Sequence, residues 1–118
     1  VIARLSDPWF EAEFYGNATE KSYQRQGASI DGAQGLFLWC PCAYPNDKRA
    51  HGLIIPFTNP RNAPELPPEH GPKVPDSDFH PRWVMSGTGL DDLTLMPSVN
   101  VGPPCSCWHG FINNGEVS

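Results

Sequence analysis

Gly35-Leu36-Phe37-Leu38-Trp39-Cys40-Pro41-Cys42, followed after a polar turn by His51-Gly52-Leu53-Ile54-Ile55-Pro56-Phe57, is the stretch that decides the fold. The first run is continuously apolar from Gly35 to Cys40 and is entered from a glycine, the pattern of a buried central strand. It stops at Pro41, which has no N–H to give to a sheet ladder. Tyr44-Pro45-Asn46-Asp47-Lys48-Arg49 reads as a turn, and the apolar run after His51 reads as a second strand. The two runs make a predicted hairpin over residues 35–57, with a loop of roughly ten residues that is long by the usual priors.

On the N-terminal side (residues 1–34), Ile2 to Leu5 and Trp9-Phe10-Glu11-Ala12-Glu13-Phe14-Tyr15 are aromatic and partly alternating, so strand is expected over helix. Gly16 to Gly35 carries few large apolar groups beyond Tyr23 and Ile30, and is expected to be a surface excursion with room for a short helical turn. Asn17-Ala18-Thr19 fits the N-glycosylation acceptor pattern, a three-residue match that chance often produces. On the other side, eight prolines fall in the 26 residues from Pro56 to Pro81. Such a segment (58–81) runs as extended, polyproline-like chain: a strap across the domain, a lid, or disorder. Strand signal returns in 82–118. It appears at Arg82-Trp83-Val84-Met85-Ser86, breaks at Gly87-Thr88-Gly89, and resumes at Leu93-Thr94-Leu95-Met96. Asn114-Gly115 is the strongest short hairpin signal and should fold Glu116-Val117 back along Phe111-Ile112.

Composition narrows the options. With 118 residues the chain is one domain's worth, and 14 prolines with 11 glycines exclude a helical bundle. At 18% charged and 39% hydrophobic it is not a charge-driven disordered chain, but its core is thin. A net charge of −5, with Lys48-Arg49 the longest basic run, disfavours nucleic acid. No apolar run approaches the ~18–20 residues of a membrane span, and no basic-then-apolar leader is visible, so a soluble protein without membrane association is expected.

The four cysteines form two C-x-C pairs, Cys40/Cys42 and Cys105/Cys107, and the second extends to C-x-C-x-H at His109. In extended chain, residues two apart share a face, so Cys105, Cys107 and His109 project together, as do Cys40 and Cys42. Pro41 bends the chain as a chelating loop requires. Soft thiolates with an imidazole suit tetrahedral zinc. A closed zinc site would supply folding free energy that the thin core does not. The preferred ligands are Cys40, Cys42, Cys107 and His109, with Cys105 or His51 as substitutes. Two blander readings stand beside this one: disulfides running between the pairs, or reduced and buried bystanders. His70 and His80 lie in the proline-rich segment and are expected to be solvated. The four tryptophans are expected mostly in the core, although an exposed one beside the strap would mark a recognition surface.

Catalytic readings are weaker. The deaminase pattern His-x-Glu with Pro-Cys-x-x-Cys is absent, as is His-Glu-x-x-His. Gly87-Thr88-Gly89 lacks the strand-to-helix context of a phosphate loop, and Asp91-Asp92 reads as a solvated turn. A Cys107 nucleophile paired with His109 shares its geometry with metal ligation. The fold expected is therefore mainly β: a small, compact, zinc-stabilised β-sandwich or partly open β-barrel-like domain with long Pro-rich loops.

Phe37-Leu38-Trp39-Cys40-Pro41-Cys42, His51-Gly52-Leu53-Ile54, Thr94-Leu95-Met96-Pro97-Ser98 and Cys107-Trp108-His109-Gly110-Phe111-Ile112 together resemble a family of small phage and bacterial proteins of unknown function, sometimes labelled ammonia monooxygenases without good basis. The likeness covers Gly35 to Val117. It implies a phage or bacterial origin, a compact β-rich fold and a bound zinc, but no particular activity. The doubled cysteine Cys105-Ser106-Cys107 departs from the family pattern and leaves the usual thiol ligand undefined. The expected function is a non-catalytic, zinc-stabilised structural or protein-binding module, a virion component or accessory factor in the host cytoplasm or virion. It would act through a protein partner or self-assembly. The alternatives are a small zinc-dependent hydrolase with an open metal site and a disulfide-stabilised virion surface protein.

Overall fold

The structure, a computed structural model, describes residues 3–16, 24–60, 63–67, 71–73, 77–100 and 108–118. Its strands are β1 (Ala3–Arg4), β2 (Glu13–Gly16), β3 (Gln24–Arg25), β4 (Gly35–Trp39), β5 (Gly52–Pro56), β6 (Val84–Ser86), β7 (Thr94–Met96), β8 (Ile112–Asn113) and β9 (Glu116–Val117). They form three antiparallel sheets, ordered β3-β2-β4-β5, β1-β9-β8 and β6-β7. The fold is mainly β, with no α-helix among the described residues and no helix among them long and apolar enough to cross a membrane. The radius of gyration is 13.2 Å, against about 13.5 Å expected for a compact chain of this length.

The apolar run at 35–40 is the central strand its composition predicts. β4 lies between β2 and β5, and its register with β5 runs from Gly35↔Pro56 to Trp39↔Gly52. Side chains alternate across a strand, so Leu36, Leu38, Leu53 and Ile55 share one face, and all are buried. Phe10, Phe14, Phe57 and Trp83 complete the same core. Phe57 and Trp83 also pair in parallel, with Trp83 N donating to the Pro56 carbonyl at 3.0 Å and Thr58 N to the Trp83 carbonyl at 2.9 Å. These bonds carry the edge of the large sheet over to β6.

Two expectations change at the N-terminal end. The strand predicted through Trp9–Tyr15 begins only at Glu13, because Pro8–Phe10 forms a 3-10 turn. Asp7 caps that turn, its carboxylate accepting from Trp9 N at 2.9 Å, and Pro8 supplies the fixed φ of a first helical position. The described part of the 16–35 excursion holds β3 and no helical turn, and it is not wholly at the surface, since its Ile30, Ala33 and Gln34 are buried. Asn17 lies outside the described residues.

The C-terminal hairpin forms as its turn demands. Asn114 (φ 49°) and Gly115 (φ 75°) both sit in the left-handed region, and Ile112↔Val117 and Asn113↔Glu116 pair across the turn. In the proline-rich segment, residues 63–67 behave as a strap. Leu66 is buried, and the Pro64 carbonyl accepts from the buried amide of Gln34 at 2.8 Å. The Leu66 carbonyl accepts from Arg82 at 2.5 Å. Two carbonyls of the strap are thus satisfied by side chains, the buried Gln34 and the half-buried Arg82.

Candidate metal centre

The mouth of the β4–β5 hairpin gathers three metal-ligating side chains. Cys40, Cys42 and His51 offer Sγ and ring-nitrogen atoms that all lie within 4.8 Å of one another. The register explains two of them. One step beyond Trp39↔Gly52, Cys40 N donates to the His51 carbonyl at 2.9 Å, so the two residues face each other across the ladder. Cys40 continues the buried face of Leu36 and Leu38, and His51 continues that of Leu53 and Ile55.

Cys42 arrives by a different route from the one expected. The C-x-C pair is not extended: Cys40 caps a 3-10 turn over Pro41–Ala43 that begins on the proline. The turn brings Cys42 back toward the hairpin mouth, where its Sγ stands 3.9 Å from His51 Nε2. Pro41 does bend the chain as anticipated, and the tight bend is what lets adjacent thiols converge. The three positions differ in environment, with Cys40 buried, His51 half-buried and Cys42 exposed.

Zn–S bonds of about 2.3 Å and Zn–N bonds of about 2.0–2.1 Å in a tetrahedron separate sulfur from nitrogen by about 3.5 Å. The Cys42–His51 pair, at 3.9 Å, lies about 0.4 Å from that spacing. Two thiols and an imidazole are a donor set that suits a soft or borderline metal and suits calcium or magnesium poorly. By donor chemistry and mutual proximity these three residues could hold a metal ion.

Of the candidate ligands named from sequence, the structure brings Cys40 and Cys42 together with His51, one of the two alternatives. His109 makes a different contact, its Nε2 lying 2.8 Å from Ser98 Oγ. Cys105, Cys107 and His70 lie outside the described residues. His80 is half-buried, and its Nδ1 has no hydrogen-bond partner among the described residues. Cys42 carries a free thiol. Among the tryptophans, Trp83 is in the core, while Trp9 and Trp108 are partly buried against it. Trp39 packs edge-on against Phe37.

The loop that joins Cys42 to His51 is held from outside by the turn at residues 7–11, a feature that sequence reasoning missed. Tyr44 OH donates to Asp7 Oδ2 at 2.9 Å, and the Tyr44 ring stacks on Phe10 with centroids 5.2 Å apart. Trp9 Nε1 donates to the Asn46 carbonyl at 2.7 Å. Arg49 lays its guanidinium over the Trp9 ring and donates through Nη2 to the Trp9 carbonyl at 2.9 Å. The bonds from Trp9 N and then Tyr44 OH hold the Asp7 carboxyl below its ordinary pKa; the bond to Asp7, with some burial, raises the Tyr44 phenol. Asp immediately before Pro, as Asp7-Pro8 stands here, is the capping signal that would have revealed this turn.

A second feature lies on the opposite run of the chain. Val84 and Met96 are cross-strand neighbours, and both are exposed. Met96 also lines, with Phe111 and Glu116, a groove of about 380 Å³ between β7 and β8. No family model, curated protein or solved structure matches this chain.

Proposed function

We propose that the protein is a non-catalytic structural or protein-binding module whose β4–β5 hairpin is closed by zinc. The observation that carries this reading is the convergence of Cys40, Cys42 and His51 at the hairpin mouth. Metal bound there ties the end of the central strand to the start of its neighbour, in a chain that is only 39% hydrophobic. A fourth ligand from Cys105 or Cys107 would close the site. The exposed Val84, Met96 and Phe111 give such a module an apolar surface for a protein partner. In keeping with the motif likeness, we infer a phage-encoded virion component or accessory factor.

The test is metal analysis of protein purified under reducing conditions, combined with thiol alkylation before and after chelation. One zinc per chain, with thiols that alkylate only once the zinc is removed, is the expected result. Metal-free protein whose thiols react only after reduction replaces the zinc reading with a disulfide one.

A second reading, a small zinc hydrolase, rests on the exposure of Cys42 and on three donors among the described residues. Three protein ligands and a water leave a metal position open, whereas four protein ligands close it. Hydrolysis of an activated ester by the zinc-loaded protein, lost in His51→Ala, would favour this reading over the structural one.

A further inference from the structure

The candidate ligands sit at the two ends of a loop that makes its own turn bond, Asn46 N donating to the Ala43 carbonyl at 2.8 Å, and is also held from outside. Eight residues separate Cys42 from His51, and loop polar groups find partners in the turn at residues 7–11. Three anchors are spread along it: Tyr44 near the Cys42 end, Asn46 in the middle and Arg49 near the His51 end. Each reaches a different atom of the turn. Tyr44 takes the Asp7 carboxylate, Asn46 the Trp9 indole N–H, and Arg49 the Trp9 carbonyl and ring. Arg49 also stands 3.5 Å from Glu11 Oε2, which accepts from Trp39 Nε1 at 3.1 Å, so the clamp closes back onto β4.

We propose that Tyr44 and Arg49 are positioning residues for the metal, holding the Cys42 thiol and the His51 imidazole at ligand spacing by docking their loop on the Asp7–Glu11 turn. This rests on the metal reading given above. A loop already ordered in the metal-free protein spends no binding free energy on becoming ordered, so metal affinity rises with the quality of the docking. Loss of groups that orient metal ligands typically weakens metal binding about 10- to 100-fold. Tyr44→Phe keeps the ring stacked on Phe10 and removes only the bond to Asp7. Arg49→Lys keeps the charge and removes the fork and the planar stacking.

The experiment measures the zinc Kd of the whole chain by chelator competition, for wild type, Tyr44→Phe, Arg49→Lys and Arg49→Ala. It is run at a temperature where circular dichroism shows each metal-free protein folded. The same proteins are loaded with cobalt, whose d–d and thiolate charge-transfer bands report ligand geometry. The expected result is a Kd raised about 10-fold or more in Arg49→Ala, less in Tyr44→Phe, partial rescue in Arg49→Lys, and altered d–d bands in the variants. A role in overall stability alone would lower the unfolding midpoint and leave the Kd of the folded protein and the cobalt bands unmoved. Folded variants with wild-type Kd and wild-type bands overturn the positioning role while leaving the metal site standing. Wild type that binds no zinc overturns both. If Arg49→Ala does not fold, Tyr44→Phe decides, since it leaves the packing intact.

Discussion

Replacing Cys42 with serine separates metal linkage from packing, because the structure places this thiol at the surface and its partner Cys40 in the core. An exposed side chain whose closest polar contact among the described residues is His51 at 3.9 Å contributes little to the metal-free fold. In chelator, Cys42→Ser should therefore lie within about 0.5 kcal/mol of wild type. In zinc at a hundredfold excess over the Kd, wild type gains about 2.7 kcal/mol by mass action. At about 3–6 °C per kcal/mol for a chain of this length, that gain raises Tm by roughly 10 °C. If losing one thiolate weakens binding a hundredfold, the variant at the same zinc concentration gains only about 0.4 kcal/mol. Cys40→Ser offers the contrast, since burying a hydroxyl in place of the thiol costs about 1–3 kcal/mol before any metal is added. The assay is thermal unfolding followed by circular dichroism, in reductant, with chelator or with excess zinc. An equal zinc-induced shift in Cys42→Ser and wild type would refute the reasoning, as would a wild type that zinc leaves unmoved.

Two further predictions concern the frame around the site. At Gly115 (φ +75°) an added Cβ would collide with the Asp91 carbonyl, whereas at Gly32 (φ +74°) it would meet nothing within 4 Å. Gly32→Ala should lose about 1–2 kcal/mol from backbone strain alone, and Gly115→Ala distinctly more; equal losses in urea denaturation would contradict the packing of the C-terminal turn on residues 91–93. The Asp92 carboxyl is held below its ordinary pKa by bonds from Thr88 N, Thr88 Oγ1 and Gly89 N. Its contribution is thus fully present above the unfolded value of about 3.9 and is lost as pH falls through the lower folded value. The stability gap between wild type and Asp92→Asn should therefore narrow on acidification, and a gap that stays constant from neutral pH to pH 2 would contradict this.

How much of this could be read from sequence depended on whether the signal was local. Gly35–Trp39 is continuously apolar and ends at a proline, so a buried central strand needed no tertiary information. Asn114-Gly115 specified its turn for the same reason, since the residues themselves favour positive φ. Cys40 and Cys42 were legible as candidate ligands from their spacing alone. The place of His51 opposite Cys40 follows from strand register, which a loop of about ten residues does not fix. Trp9 and Phe10 look like alternating strand residues, and only the Asp7-Pro8 cap identifies the turn they occupy. That turn reaches the Cys42–His51 loop through contacts some 37 to 40 residues apart in sequence, which no local pattern reports. Gln34, a buried amide beneath the strap, is illegible in the same way: nothing near it in the chain announces the Pro64 carbonyl it serves.

X-ray absorption at the zinc edge, on the whole chain loaded with one equivalent of zinc under reducing conditions, tests the central claim most directly. The account predicts a mixed shell with at least two sulfurs at about 2.3 Å and at least one imidazole nitrogen at about 2.0–2.1 Å, and loss of one sulfur in Cys42→Ser. A shell of oxygen and nitrogen alone, or fully reduced protein that takes up no zinc, would contradict it.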